Sequence, residues 1–303
     1  MNSRVARCGT ALSVGIKACW MRKEGMTRSP CRGQPQGGEA IAQVVGVAGL
    51  MSLFLMIALL VTGPAQAQRP PTVAAASDLQ FAIEDLAARF TEETGQRVRL
   101  NFGSSGNFRR QIAQGAPFEL YMSADEAYVE ALYESGHLED AGDLYAVGRV
   151  VLITRQGASL DPEAGLAALA GALEAGEIRR FAIANPEHAP YGVAAKQALQ
   201  SAGLWEVIQP HLVFGENVSQ AAQFALSPDA DGGIVAWSLA LAPSLDRRSD
   251  WALIPEDHHE PLRQRMALVK GAGETARAFY DFILSDPGRA VLAEYGFITP
   301  DPD

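Results

Sequence analysis

The chain has 303 residues, 48% of them hydrophobic and 20% charged, a composition typical of a globular protein with a large buried core. Its length allows one or two domains. Its formal net charge of −10 argues against nucleic acid as a partner, because surfaces that bind nucleic acid are rich in Lys and Arg.

The N-terminal part differs in composition from the rest of the chain. Residues 1–40 include seven basic side chains, and residues 41–67 include no charged residue. The apolar run 44–61, followed by the sequence Ala-Gln-Ala, predicts a cleaved export signal over residues 1–67. A retained membrane anchor is the alternative, because about 18 apolar residues just span a bilayer. We therefore expect this part of the chain to direct the protein to the bacterial periplasm.

All three cysteines lie in this N-terminal part, at Cys8, Cys19 and Cys31. We therefore expect residues 68–303 to form no disulfide and to have no lipoprotein-type anchor. Without the seven basic and two acidic residues of the signal, they keep 18 basic and 33 acidic residues, a net charge of −15. An anion bound by so acidic a protein must be held by local dipoles rather than by the overall field. We expect a soluble monomer.

From Thr72 onward, apolar runs typical of strands alternate with segments of helical periodicity. Strands are predicted at residues 73–76, 98–102, 118–122, 150–154, 180–184, 213–215, 233–236, 251–254 and 265–269. Helices are predicted between most of them, including one that begins at Val193, and a pair of helices is predicted between residues 273 and 295. This alternation favours an α/β protein with parallel sheets covered by helices.

The most informative segment runs from Asn101 to Asp125. Its strand ends in Gly-Ser-Ser-Gly, residues 103–106, and the apolar spacing from Phe108 onward indicates a helix. Serine hydroxyls and free backbone N–H groups therefore meet at a helix N-terminus, which carries about half a positive charge and suits an anion. A single motif of this kind is also explained by a serine N-cap after a tight turn.

The same arrangement recurs at four junctions between a strand and a helix. The junctions lie at Ser77, Ser105, Tyr191 and Val218. In open α/β sheets, ligands bind beyond the carboxyl ends of the strands, where all four junctions are expected. Two sheets facing each other across a cleft would bring the four together around one small anion, at about 0.3–1 kcal/mol for each exposed dipole contact.

Seven segments resemble a known family. In chain order they are AAASDL, FGSSGNFRRQIAQGAPFELYMSAD, ANPEHAPYGVAAKQAL, ENVSQAAQF, GGIVA, IPEDHH and AFYDFILSDPGRAVLAEYGF. They extend over residues 70–298 and resemble the molybdate-binding proteins of bacterial ABC transporters. The resemblance implies an α/β type II periplasmic-binding-protein fold, with a ligand cleft between two lobes. We expect lobe one to comprise residues 70–148 and 263–303, and lobe two to comprise residues 149–262.

The same resemblance implies a function and a set of ligand contacts. The protein would bind molybdate, or tungstate, without a cofactor and without catalysis, and would deliver it to an inner-membrane ABC permease. Ser77 and Ser105 would donate their hydroxyls to the oxyanion, and Tyr191 and Val218 would donate their backbone N–H groups. Ala236 stands where many members have a tyrosine that reaches the anion, and we expect the phenol of Tyr191 to supply the missing hydroxyl.

Two further groups of side chains are of a kind that binds anions or metals. Arg109 and Arg110 follow the Gly-Ser-Ser-Gly motif. We expect them at the surface, because an arginine ion pair would also admit phosphate and sulfate. Residues 256–260, Glu-Asp-His-His-Glu, have the side chains of metal ligands. Adjacent residues point apart, however, so we expect a solvated loop there.

Two alternative functions remain open at this point. One is the binding of another oxyanion, or of ferric ion together with an anion. The other is an exported serine hydrolase that uses Ser105 as nucleophile with His188 and an acid such as Asp125. This second function requires the serine and the histidine within hydrogen-bond distance. No G-x-S-x-G motif follows a strand, and we expect His188 to pack within its loop.

Overall fold

The computed structural model describes residues 69–300, and the expected export signal, residues 1–67, lies outside them. Within the described residues the strands are β1 Thr72–Ala76, β2 Arg99–Gly103, β3 Leu120–Ser123, β4 Asp143–Gly148, β5 Val150–Arg155, β6 Phe181–Ala184, β7 Leu212–Gly215, β8 Gly232–Ala236, β9 Ser249–Leu253 and β10 Leu262–Leu268. The helices are α1 Gln80–Thr94, α2 Ser105–Ala113, α3 Glu126–Glu134, α4 Gly165–Glu174, α5 Pro190–Ser201, α6 Trp205–Ile208, α7 Val218–Ala225, α8 Trp237–Ala240, α9 Pro243–Asp246, α10 Glu274–Leu284 and α11 Asp286–Glu294. A short 3₁₀ turn, Ser77–Leu79, connects β1 to α1. No helix within residues 69–300 is long and apolar enough to cross a membrane.

The strands form two five-stranded sheets with the same internal arrangement. The strand order is β2-β1-β3-β10-β4 in the first sheet and β7-β6-β8-β5-β9 in the second. In each sheet the first three strands are parallel. The fourth strand, β10 or β5, runs antiparallel to both of its neighbours. Each sheet is therefore mixed, with a parallel half that can hold a ligand at its carboxyl edge.

The chain passes between the two sheets twice, and the two passages are in contact. In the first passage, Arg149 alone separates β4 from β5, and in the second, residues 254–261 separate β9 from β10. The Arg149 guanidinium forms an ion pair with the Glu256 carboxylate, with 2.6 Å between Nη1 and Oε1. The connection between the sheets is thus made of two short neighbouring segments, as expected for a hinge.

Helix α1 illustrates how the helices cover the sheets. The residues that face inward recur at helical spacing and are buried: Ala82, Ile83, Leu86 and Phe90. Gly95 ends the helix with a φ of 71°, a left-handed conformation that costs glycine little. The ring of Phe90 packs edge-to-face against Phe279 of α10, with 5.1 Å between the ring centroids. An apolar layer therefore joins the N-terminal and C-terminal helices of the described chain.

The structure contradicts three local predictions. No strand is predicted at the position of β4, because only Gly148 and Arg149 separate its apolar residues from those of β5. The predicted parallel sheets are mixed, because β5 and β10 follow the passages between sheets and run in the opposite direction. Helix α5 begins at Pro190, three residues before the predicted start at Val193. Proline is well tolerated there, since the first N–H groups of a helix have no acceptor within it.

Truncation of Phe90 should strongly destabilise the protein. Phe90 is fully buried, so we expect Phe90→Ala to lower the free energy of unfolding by about 3–5 kcal/mol through the cavity it leaves. Urea denaturation followed by circular dichroism measures the change. The control is Tyr133→Ala, because Tyr133 is 45% exposed and its truncation should change stability by about 0.5 kcal/mol or less. Equal effects of the two substitutions would contradict the packing described above.

Candidate functional site

A small cavity lies where strands of both sheets end and the following turns and helices begin. All four residues predicted to bind an anion line it: Ser77, Ser105, Tyr191 and Val218. The volume of this cavity is only about 10 Å³. One bound water needs roughly that much room, whereas pockets for organic ligands measure about 300–1,000 Å³. The cavity is therefore suited to a small inorganic ion rather than to a sugar or an amino acid.

The register of the parallel strands brings the junctions together. In the first sheet, Ala76 at the end of β1 is paired with Gly103 at the end of β2. In the second sheet, Ala184 at the end of β6 is paired with Gly215 at the end of β7. Neighbouring strands therefore end at the same edge of their sheet, and the turns and helices that follow them begin side by side. This is the geometry that the sequence pattern predicts.

The two serines present their hydroxyls to the cavity from the first sheet, and both are almost fully buried. Ser77 Oγ accepts a hydrogen bond from the Ser219 N–H at 3.3 Å, and Ser105 Oγ accepts one from the Ala124 N–H at 3.0 Å. A hydroxyl has one hydrogen to donate as well as lone pairs to accept. Because each serine oxygen is already an acceptor of a backbone N–H, its own hydrogen can be donated to an anion.

The second sheet contributes two helix N-termini. Tyr191 is the second residue of α5, and Val218 is the first residue of α7. The first N–H groups of an α-helix have no acceptor within the helix, and they carry much of its positive partial charge. The amides of these two residues therefore stand where an oxyanion that enters the cavity requires donors.

No Lys or Arg is among the residues lining the cavity, so the positive partial charges in its wall are those of backbone N–H groups and hydroxyl hydrogens. The guanidinium of Arg109 lies over the ring of Tyr128, 5.6 Å from its centroid. Arg110 is hydrogen-bonded to the side chain of Asn107. Arg110 is exposed, as expected, whereas Arg109 is half-buried, and neither arginine is among the residues that line the cavity. The charged residue among those lining the cavity is acidic, Asp78.

Asp78 belongs to a buried polar network that joins the two sheets. Its Oδ2 accepts a hydrogen bond from Gln264 Nε2 at 2.7 Å, and Gln264 Oε1 accepts one from the Tyr145 hydroxyl at 2.8 Å. Gln264 Nε2 also donates to the hydroxyl of Tyr191, at 3.1 Å. Burial raises the pKa of the Asp78 carboxyl to about 6, although the hydrogen bond from Gln264 and the neighbouring Tyr191 phenol act to lower it.

The phenol of Tyr191 points into this network, which differs from the expectation that it supplies a hydroxyl to the anion. Its oxygen lies between Gln264 and Asp78, and burial together with the Asp78 charge raises its pKa well above the ordinary value. A Cβ atom added to Gly148 would lie 2.1 Å from this oxygen. The glycine at the end of β4 therefore makes room for the phenol.

The predicted hydrolase geometry is not formed. Ser104, rather than Ser105, contacts His188, with 2.9 Å between Ser104 Oγ and His188 Nδ1. Ser104 also caps α2 by accepting the Asn107 N–H. The Asp125 carboxylate accepts the Ala127 N–H as the N-cap of α3. Ser105 thus has no histidine partner among the described residues and is not set up as a nucleophile.

His188 instead joins the two sides of the cavity. Its backbone oxygen accepts the N–H of Gly106 at 3.0 Å, next to the contact of its ring with Ser104. A Cβ atom at Gly106 would lie 2.6 Å from that oxygen, so the glycine permits the close approach. The expectation that His188 packs within its own loop is thus too narrow, since it packs across the cavity.

Three side chains of the acidic and histidine-rich segment 256–260 contact neighbouring groups of the protein. Glu256 pairs with Arg149, the ring of His258 contacts the Ser201 hydroxyl, and His259 Nδ1 contacts the backbone oxygen of Glu260. Within residues 69–300, no three His, Cys, Asp or Glu side chains form a group that could hold a metal ion.

Three participants in the site region are absent from the sequence prediction: Asp78, Ser104 and Gln264. Asp78 directly follows Ser77, and Ser104 directly precedes Ser105. Their position next to a predicted ligand residue is the sequence signal that could identify them. Gln264 lies in the middle of β10, which is distant in sequence from every junction. Nothing in the sequence pattern marks it, because its role depends on the pairing of β10 with β4.

Residues 71–298 match the model of a family described as bacterial extracellular solute-binding protein. The molybdate-binding protein ModA of Rhodobacter capsulatus is 35% identical over 229 residues, which cover 75% of this chain and 87% of that protein. The chain belongs to this family of solute-binding proteins. The ModA protein of Azotobacter vinelandii is 34% identical, with 74% of this chain and 88% of that protein covered.

A solved structure of this family has the same fold. It is the Azotobacter vinelandii periplasmic molybdate-binding protein, with a TM-score of 0.70 and 29% identity, covering 76% of this chain and 100% of that chain. The predicted family resemblance and the α/β periplasmic-binding-protein fold are therefore confirmed. So is the prediction that the chain is a solute-binding protein and not an enzyme.

Substitution of Tyr191 by phenylalanine tests the buried network. The change removes a phenol oxygen that accepts from Gln264 and neighbours Asp78, so we expect a loss of about 1–3 kcal/mol in the free energy of unfolding. Urea denaturation measures it. The control is Tyr133→Phe, which alters an exposed phenol and should leave stability unchanged. If both variants are as stable as the wild type, the Tyr191 hydroxyl contributes nothing to the network.

Proposed function

We propose that this protein captures molybdate, or tungstate, and delivers it to an ABC permease in the inner membrane. The observation that carries the proposal is the donor set of the cavity, two serine hydroxyls and two helix N-termini without a lysine or arginine. Relatives at 34–35% identity are molybdate-binding proteins. Ser77 and Ser105 would bind the oxyanion through their hydroxyls, and Tyr191 and Val218 through their backbone N–H groups.

The chemistry of the donors favours an anion over the ferric ion considered as an alternative. Hydroxyl hydrogens and backbone N–H groups present positive partial charge, which repels a cation and attracts the oxygens of an oxyanion. The ligand would be contacted through its oxygens, and the protein would coordinate no metal atom directly. Selectivity among oxyanions would follow from the spacing of the donors, since a larger tetrahedron reaches groups that sulfate leaves out of hydrogen-bond range.

The proposal includes a hinge motion about the two passages near Arg149 and residues 254–261. Lobe one would comprise residues 70–148 and 263–303, and lobe two residues 149–262. Closure excludes water from the cavity and strengthens each hydrogen bond to the anion, because the local dielectric falls. The permease would bind the closed form, whose population the ligand increases. Residues 1–67 would direct export to the periplasm, where the protein would act as a monomer.

The serine ligands provide the direct test of the proposal. We expect Ser77→Ala and Ser105→Ala each to weaken molybdate binding by about 1.5–3 kcal/mol, the range for hydrogen bonds to charged groups, or roughly ten- to a hundredfold in Kd. Isothermal titration calorimetry with molybdate, tungstate, sulfate and phosphate measures the affinities. The matched control is Ser135→Ala, because Ser135 is exposed and lies at the end of α3.

The outcomes separate the roles of the two serines. Unchanged affinity in one alanine variant would mean that this serine only accepts the backbone N–H that it contacts. Tighter binding of sulfate or phosphate than of molybdate by the wild-type protein would refute the choice of ligand. The absence of binding to all four anions would refute the proposed function as a whole.

A further inference from the structure

We propose that Asp78 makes anion binding proton-linked, because this residue lines the anion site and its buried carboxyl group takes up one proton when a dianion enters. The inference rests on the proposed function and concerns the same cavity. It adds to this cavity a residue whose charge changes when the ligand binds. The geometry of the carboxyl group, its neighbours and the charge of the ligand carry the argument.

The carboxyl group of Asp78 is buried, and within residues 69–300 only one of its two oxygens has a direct hydrogen-bond partner. The residue is 2% exposed and lines the cavity next to Ser77. Its Oδ2 accepts from Gln264 Nε2, whereas Oδ1 has no hydrogen-bond partner among the described residues. A buried carboxylate oxygen without a donor is costly to keep charged. Oδ1 is therefore the atom on which a proton would settle, since Oδ2 is engaged as an acceptor.

The groups around Asp78 offer no compensating positive charge, and the donors that stabilise its carboxylate are neutral: Gln264, the Tyr191 phenol and the backbone N–H groups of Asp78 and Leu79. Gln264 of β10 is neutral, and Ser238 of α8 donates to the backbone oxygen of Asp78 rather than to its carboxyl. The titratable neighbours are two phenols, Tyr191 of α5 and Tyr145 of β4, and the pKa of each lies well above its ordinary value. Both phenols therefore stay neutral at any physiological pH. Within residues 69–300, no Lys or Arg forms an ion pair with Asp78.

Binding of a dianion further disfavours the ionised form of the Asp78 carboxyl group. Burial alone already raises the pKa of this carboxyl to about 6 in the absence of ligand. A like charge brought into the same site disfavours the ionised form further, so the pKa rises again when the anion binds. Above about pH 6, one proton must then pass from the solvent to the carboxylate for each anion bound. The protonated carboxyl carries no charge and can donate a hydrogen bond, which the carboxylate cannot.

The expected pH dependence follows from this balance. Below the pKa of the ligand-free protein, Asp78 is already protonated and the affinity does not change with pH. Above it, Kd should rise about tenfold for each pH unit, until the pKa of the complex is reached. Calorimetric titration of the purified protein with sodium molybdate, from about pH 6 to pH 8.5, measures the slope, and molybdate stays a dianion throughout this range. Titrations in two buffers of different ionisation enthalpy measure the protons taken up.

The wild-type protein alone gives a decisive outcome. A Kd that rises with pH, together with the uptake of close to one proton per anion at about pH 8, would support the proposal. Molybdate binding with a Kd that is independent of pH, and without proton uptake, would overturn it while leaving the proposed function intact. No binding of molybdate or tungstate at any pH would instead remove the proposed function, on which the inference rests.

Asp78→Asn assigns the proton to this residue. Asparagine has the shape of the protonated acid, can accept from Gln264 through its oxygen, and does not titrate. We expect the variant to bind molybdate with a Kd independent of pH. At about pH 8 it should bind up to roughly a hundredfold tighter than the wild type, two pH units above the ligand-free pKa. If the variant does not fold, the proton uptake of the wild type still decides the proposal.

Two control variants exclude other titrating groups. Asp125→Asn changes a partly buried carboxyl that caps α3 outside the cavity, and the variant should keep the wild-type slope. His188→Gln changes the histidine that contacts Ser104 beside the site, and it should also keep the slope even if its affinity changes. Loss of the slope in His188→Gln, with its retention in Asp78→Asn, would assign the proton to the histidine and refute the proposal.

Discussion

The proposed function places one electrostatic constraint on the structure, which is to hold a small anion out of water without a cationic side chain. A bare helix N-terminus contributes little by itself, at about 0.3–1 kcal/mol when exposed. Several donors must therefore converge on one point, and the fold achieves this through strand register. Because Ala76 ends opposite Gly103, and Ala184 opposite Gly215, the turns and helices that follow begin next to one another. Two such edges facing each other enclose the cavity, and the mixed sheets leave both parallel edges directed toward it.

Glycines and small residues at the junctions permit this convergence. Gly106 approaches the backbone oxygen of His188 so closely that a side chain would collide with it, and Gly148 gives room to the hydroxyl of Tyr191. The same contacts join the two sides of the cavity, since Ser219 donates to Ser77 through both its N–H and its hydroxyl. Residues that line the cavity are thus also residues through which its two sides meet. In the proposed function, ligand binding and closure would be favoured by the same contacts, as a hinged binding protein requires.

Much of this arrangement could be predicted from the sequence, and the missing parts share one physical cause. The junctions at Ser77, Ser105, Tyr191 and Val218 have local signals, because a strand followed by small or polar residues and a helix is readable within about ten residues. The buried network has none, because Gln264 and Tyr145 meet through the pairing of β10 with β4, and Asp78 joins them from the turn after β1. The orientation of the Tyr191 phenol was missed for the same reason. Ala236 stands at the position of a tyrosine in many relatives, and this favours a Tyr191 phenol directed into the cavity. The partners of the phenol, however, come from elements distant in sequence.

A carboxylate beside an anion site has a measurable cost to the fold. The pKa of Asp78 in the folded protein is about 6, against 3.8 for an unperturbed aspartate. The folded state therefore binds more protons than the unfolded state between these two values, and the free energy of unfolding falls as pH rises through this window. Above it the deficit amounts to about 3 kcal/mol. An asparagine at this position would accept from Gln264 without that cost. The acid differs from the amide in its ability to gain a proton, and under the proposed linkage this property couples the cost of the buried carboxylate to the binding of the anion.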